Sequence, residues 1–257
     1  MKRAISTMSK TRLGYADFTH VEGITDYMNI TIDCVNRLGS QLDVLDVPAG
    51  NGLVVDRLNE LGHNAIGGDI NDAREGFVRV NMEESFPFDD NSFDAVTCLE
   101  GIEHVLDGYR LLSELVRVLR PGGTIIISTP NTMNLYSRWW YFLYGYPFQF
   151  PPHAMQHVSK ERAIDRGHIN PMSYLRLRYL LESLDAEVVE IHGDRIKKKH
   201  LLPFLLPVFG LGWLLGTKHR RREDGDDENI NSISTHLKSK PLIFSRSIVL
   251  VARKNKN

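Results

Sequence analysis

The sequence predicts a doubly wound α/β domain built on a mostly parallel sheet of seven strands. Three observations predict it. Short apolar, β-branched runs alternate with stretches of helical periodicity, the connections between them are short, and a glycine-rich turn follows the first run. With 257 residues and 42% hydrophobic composition, the chain can bury one full core. A single domain over residues 1–257, elaborated by insertions at 132–170 and 195–245, is the expectation.

The elements follow in order. Ile24, Tyr27, Met28, Thr31, Ile32 and Val35 recur at helical spacing, and Gly39 closes that helix. Residues 42–47 (LDVLDV) read as the first strand, leading through Pro48-Ala49-Gly50-Asn51-Gly52 into a helix over 53–61. Residues 64–70 (NAIGGDI) form a second strand ending in an acid, and 79–81 a short third. The fourth strand spans 95–99, and the helix over 108–119 is expected to stop at Pro121-Gly122-Gly123 before a fifth strand at 124–128. An aromatic stretch, 136–150, then interrupts the alternation. It resumes with a helix over 173–184 and strands at 186–192 and 247–253. There is no internal repeat.

Composition excludes several function classes. Thirty-one basic against 32 acidic side chains leave a formal charge of −1, which gives no overall attraction to nucleic acid. Cys34 and Cys98 stand far apart in hydrophobic surroundings, which argues against a disulfide framework or a thiolate metal cluster and for a reducing cytosol. Residues 1–14 contain no apolar run of secretory length, so a cytoplasmic location is expected.

The chemistry concentrates at strand ends. Gly50 and Gly52 precede a helix amino terminus, where glycine lets a ligand approach backbone N–H groups. Asp69, ending the second strand, is placed to accept both hydroxyls of a ribose held over that turn. Asn81 and Met82, after the third strand, offer an amide and an apolar face for an adenine. The G-x-G-x-x-G spacing of dinucleotide dehydrogenases is not met.

An ordered set of segments, VLDVPAGNG (44–52), GGDI (67–70), FPFDDNSFDAV (86–96), LEGIEHV (99–105), LRPGG (119–123) and ISTPN (127–131), resembles the class I S-adenosylmethionine (SAM)-dependent methyltransferases. The similarity is to the branch with the ubiquinone-biosynthesis O-methyltransferases and polysaccharide- and lipid-pathway methyltransferases. It implies a Rossmann-like sheet with an antiparallel last strand, and SAM bound by Asp46, Gly50, Gly52, Asp69, Asn81 and Met82. Pro48 stands where the family has its first glycine, and Asn81 where it has an acid.

Glu100, Glu103 and His104 form E-x-x-E-H at the end of the fourth strand, where open α/β sheets hold their ligands. In the ubiquinone O-methyltransferases and the small-RNA 2′-O-methyltransferases a similar motif binds a divalent ion, in the latter with a histidine before a later helix. The resemblance therefore implies a set of Glu100, Glu103, His104 and His168 for Mg²⁺ or Mn²⁺. A metal-free site, with His104 and Glu103 as the catalytic pair, fits the same residues. His153 and His157 are spare candidates that also suit a surface loop.

The aromatic segment 135–150 is placed to cover an acceptor pocket, and equally suits a packed helix. Residues 201–216 carry no charge, contain Pro203 and Pro207, and are flanked by basic runs within 197–222. This predicts an interfacial element touching the cytoplasmic membrane face, or a hydrophobic lid on a soluble enzyme. The expected reaction is methyl transfer to a hydroxyl of a glycan, lipid-linked or quinone-like acceptor. C- or N-methylation of a small metabolite and a catalytically idle SAM-binding protein are the alternatives.

Overall fold

Seven strands, β1 (Asp43–Asp46), β2 (Asn64–Asp69), β3 (Val78–Arg79), β4 (Phe93–Leu99), β5 (Leu119–Pro130), β6 (Ala186–Gly193) and β7 (Ser247–Lys254), form one sheet in the order β3-β2-β1-β4-β5-β7-β6. From β3 to β5 all neighbours are parallel, whereas β7 runs antiparallel to both β5 and β6. The computed structural model describes residues 23–71, 74–152, 167–196, 198–207, 209–210 and 228–256. Within these lie α1 (Asp26–Leu38), α2 (Leu53–Glu60), α3 (Gly108–Val118), α4 (Leu135–Tyr144), α5 (Tyr174–Glu182), α6 (Glu228–Leu237) and α7 (Lys240–Phe244).

The central strands read as continuous apolar runs because both sheet faces are covered. Val44, Ala95, Ile126 and Val249 point to one face, where they meet Ile32 and Val35 of α1 and Val54 and Leu58 of α2. Leu45, Val96, Ile125, Ile127 and Leu250 point to the other, under Leu111, Leu112 and Leu115 of α3 and Leu177 and Leu181 of α5. The period of two divides each strand between two cores.

Local chemistry starts the helices. Asp107 accepts the Arg110 N–H at 3.0 Å ahead of α3, Asn134 accepts that of Ser137 at 2.8 Å ahead of α4, and Ser173 that of Arg176 at 3.3 Å ahead of α5. The expected stop of α3 at Pro121-Gly122-Gly123 needs correction. Leu119 already adopts an extended conformation (φ −73°, ψ 137°) and pairs with Phe93, so β5 begins directly after Val118. Those three residues instead occupy the register shift between the Phe93 and Ala95 pairings, with Gly122 at φ 79°.

Two of the sequence motifs hold the framework. Arg117 donates to the carbonyls of Phe86 and Phe88 and to Asp90 and Glu114, while Glu114 accepts the Phe86 N–H at 2.7 Å, fixing the approach to β4. Asn131, just past β5, donates to the carbonyls of Pro241, Leu242 and Ser245 and accepts the Met133 N–H, so α7 is fastened to the sheet edge before β7.

The return limb of the 195–245 insertion is docked by a buried polar cluster. Tyr174 Oη lies 2.6 Å from His236 Nδ1, and Arg178, 4% exposed, donates to Tyr174 Oη at 3.0 Å and to Ser232 at 3.1 Å. These contacts join α5 to α6.

Candidate active site

The chain leaves β1 toward β2 and β3, then returns to place β4 on the other side of β1. Ligands of open α/β sheets bind outside the strand carboxyl ends at such a reversal. A cavity of about 860 Å³ opens there, walled by the ends of β1, β2 and β4, by α1 and by the segments around Asn81, His168 and Arg246.

Its floor is the turn after β1. Gly50 lies at φ 54°, in the left-handed region that glycine enters without strain, and no atom lies within 4 Å of where a Cβ would stand. Its N–H donates to Asp69 Oδ2 at 2.8 Å, while Oδ1 of the same carboxylate accepts the Asn71 N–H at 2.9 Å. With about four lone-pair sites on its two oxygens, the carboxylate keeps capacity for a further donor beside these and the Ile70 N–H. The open space over Gly50 and the acceptor pair of Asp69 fit the hydroxyls of a ribose.

Asp46 ends β1 at 2% exposure and accepts a hydrogen bond from Thr97 Oγ1 at 2.6 Å across the β1–β4 seam. Burial pushes its carboxyl up to about 7; the Thr97 bond pulls it down and the Asp69 charge raises it further. Met82 forms part of the cavity wall, as expected. Asn81 does too, but its side chain is engaged locally, accepting the Glu83 N–H at 3.0 Å and donating to Glu84 at 2.8 Å. Gly52 is placed differently from expectation. It stands outside the wall, and a Cβ there would fall on the Arg74 guanidinium and the Phe77 ring. Its φ of 81° serves the entry into α2.

The E-x-x-E-H residues divide. Glu100, at φ 48°, holds a left-handed conformation that costs a non-glycine residue of order 1 kcal/mol and recurs at functional sites. Its N–H donates to the Ser128 carbonyl at 3.0 Å, and its carboxylate accepts from Ser128 Oγ at 3.2 Å and Ser247 Oγ at 3.4 Å. Glu103 is fully buried, and its Oε2 accepts from Thr129 at 3.1 Å, while Oε1 has no partner. Burial, reinforced by the Glu100 charge, holds its carboxyl well above the usual range. Its carbonyl accepts the N–H groups of Ile169 and Asn170, each at 3.0 Å, which brings the HINP segment beside the motif. His104 and His168 consequently stand edge to face with ring centroids 4.9 Å apart.

Donor atoms of Glu103, His104 and His168 all lie within 4.8 Å of one another, and Glu100 is outside this group. Only Glu100, His104 and His168 reach the cavity wall; Glu103 sits behind them.

The aromatic segment is a helix packed on itself, not a cover over the cavity. Trp140 and Tyr144 rings lie 4.2 Å apart and Tyr136 and Phe148 rings 4.8 Å apart, and no α4 residue reaches the cavity wall. The link to the site is indirect: the Gln149 carbonyl lies 2.9 Å from His168 Nδ1. His153, His157, Lys197 and most of 208–227 lie outside the described residues. Among the described residues no helix is long and apolar enough to cross a membrane.

Sequence reasoning missed Tyr27, Asp194, Arg195 and Arg246, which complete the wall. One signal for Arg246 was present. An antiparallel β7 must begin where the other strands end, so a charged residue at its start belongs to the ligand crevice.

Residues 45–127 match the family described as "Methyltransferase domain". Among curated proteins the chain is similar to a probable S-adenosylmethionine-dependent methyltransferase of Mycolicibacterium smegmatis, at 34% identity over 177 residues covering 65% of this chain and 58% of that protein. It is also similar to a ubiquinone biosynthesis O-methyltransferase of Alkalilimnicola ehrlichii, at 32% identity over 102 residues, 34% of this chain and 41% of that one. The chain thus spans about half the length of the curated relatives it matches. A SAM-dependent methyltransferase from Archaeoglobus fulgidus, 18% identical, superposes with a TM-score of 0.52 over 88% of this chain and 94% of that one, and has the same fold.

Proposed function

We infer, from a chain whose residues 45–127 belong to the methyltransferase-domain family, that it is a SAM-dependent methyltransferase acting on an acceptor hydroxyl. The observation that carries this is the clasp of Gly50 N–H on Asp69 beneath a cavity whose far wall is His104 and His168. A nucleoside recognised at one end leaves its reactive substituent facing ionisable groups at the other.

When bound, SAM supplies an electrophilic methyl group on a sulfonium. Held over Gly50 and Asp69, it would give that methyl to the acceptor oxygen, and the His104 ring would take the hydroxyl proton. Glu103, buried behind His104, holds Ile169 and Asn170 through its carbonyl and so positions the neighbouring His168 without touching the acceptor. Orientation of the two substrates contributes most of the acceleration. Titration calorimetry tests the reading. The protein binds SAM, and Asp69→Ala weakens binding at least tenfold; no heat at millimolar SAM would overturn it.

A specific observation favours a divalent ion beside the base: a Glu103 carboxylate oxygen and a ring nitrogen of each of His104 and His168 lie within 4.8 Å of one another, and Glu103 Oε1 has no partner. Glu103, His104 and His168 would hold Mg²⁺ or Mn²⁺, and the ion would lower the pKa of the acceptor hydroxyl. Turnover unaffected by chelator would rule it out. Peripheral membrane contact through 197–222 is supported by Phe204, 74% exposed, and Leu206, 45% exposed, beside the basic run. Sedimentation with anionic vesicles, lost when 200–217 are deleted, is the expected result; equal binding by the deletion would refute it.

A further inference from the structure

Arg246 stands in the cavity wall just before β7, together with Arg195 just after β6. Its backbone is held on three sides: its N–H donates to the Arg195 carbonyl at 3.0 Å, and its carbonyl accepts from Asn131 N at 2.9 Å and Gln149 Nε2 at 2.9 Å. Its side chain is not held. Nε is buried with no hydrogen-bond partner, and the guanidinium forms no salt bridge among the described residues.

The acidic groups it faces are Glu100, Glu103, Asp194 and, more weakly acidic, Tyr27, each of which feels its field. None of these carboxylates hydrogen-bonds the guanidinium, and Glu103 Oε1 is itself without a partner. Asp194 accepts the Ser247 N–H at 2.8 Å, Glu100 accepts from Ser128 and Ser247, and Glu103 accepts from Thr129. A buried N–H without a partner carries the full cost of its lost hydration unless a ligand supplies an acceptor. A guanidinium is matched by a planar or tetrahedral oxyanion, which takes two of its N–H groups together.

We propose that Arg246 is an anion-binding residue of the acceptor half of the cavity, holding a carboxylate or phosphate of the molecule to be methylated. The proposal rests on the methyl-transfer reading and narrows it to acidic acceptors: hydroxy-carboxylic acids or phosphorylated hydroxy compounds. Arg195, on the same stretch of wall, adds positive potential at the approach.

The test is calorimetric titration of benzoate and of inorganic phosphate, separately, into the protein saturated with S-adenosylhomocysteine. At least one anion binds. Arg246→Gln weakens it tenfold or more without altering affinity for S-adenosylhomocysteine, and which anion is lost separates a carboxylate from a phosphate site. Arg246→Lys retains phosphate better than benzoate, because an ammonium is a point charge without the planar fork. Circular dichroism confirms that both variants fold, and Arg195→Gln serves as a second, more exposed probe of the same potential. Failure of both anions to bind the wild type, or equal anion binding by Arg246→Gln, would overturn the proposal. A tenfold loss of S-adenosylhomocysteine affinity in Arg246→Gln, with anion binding intact, would overturn it by assigning the guanidinium to the carboxylate of the methyl donor. If S-adenosylhomocysteine itself does not bind, the functional reading fails, and titration into the protein alone still reads the anion site.

Discussion

Asp46→Asn isolates the energetic consequence of burying an acid at the end of β1. The wild-type carboxyl rises from its ordinary 3.8 to about 7. The sign follows from linkage. A folded-state pKa above the unfolded one means that the unfolded chain ionises first, so stability is fullest below pH 4 and is lost as the pH rises toward 7. At about 1.4 kcal/mol per unit, the loss is about 2 kcal/mol by pH 5 and about 4 kcal/mol by pH 8.5. Asparagine keeps the oxygen that accepts from Thr97 and carries no charge. The variant therefore gains about 2–3 kcal/mol relative to wild type between pH 5 and pH 8.5. Any cost of a less suitable hydrogen bond is the same at both ends and cancels. Urea denaturation of both proteins at the two pH values reads this as a change in midpoint at constant slope. Contributions from Glu100 and Glu103, which burial also raises, are common to both proteins. Parallel stability curves for the two proteins across this range would refute the reasoning.

Three further outcomes follow from the same geometry. Gly50→Ala places a methyl in open space at φ 54°, so it costs about 1–2 kcal/mol of stability by urea titration but weakens SAM binding tenfold or more by calorimetry. Gly68→Ala meets no ligand; its Cβ would lie 2.6 Å from Val47 Cγ2 and 2.9 Å from Val80 Cγ2, so about 1–3 kcal/mol of stability is lost through overpacking between β1 and β3. Tyr174→Phe removes the hydroxyl that joins Arg178 to His236, and costs about 1–3 kcal/mol; hydrogen exchange rises first in α6, which that hydroxyl docks.

The alternation of strands and helices, the seven-stranded count and the glycine turn were legible in the sequence because each rests on residues close in the chain. Period-two runs such as Val44-Leu45 and Ile125-Ile126-Ile127 state their two-faced burial directly. The motifs also located Asp46, Gly50 and Asp69, since each lies at the end of its own strand or in the turn that follows it.

Tertiary structure decided what those residues do. Whether Gly52 faces a ligand or the Arg74 guanidinium depends on a side chain more than twenty positions away, and the Glu103 carboxylate lies behind His104 on Thr129, a residue of the neighbouring strand β5. The aromatic helix spends its rings on one another, which its composition leaves open. Arg246 enters the cavity only because β7 runs antiparallel between β5 and β6. Local patterns fix which elements form, since propensity and burial period act over a few residues. The glycine turn over which the site is built belongs to that local part. Its far wall, assembled from α1, β4, the HINP segment and β7, is fixed by packing between segments that the chain brings together only when the sheet closes.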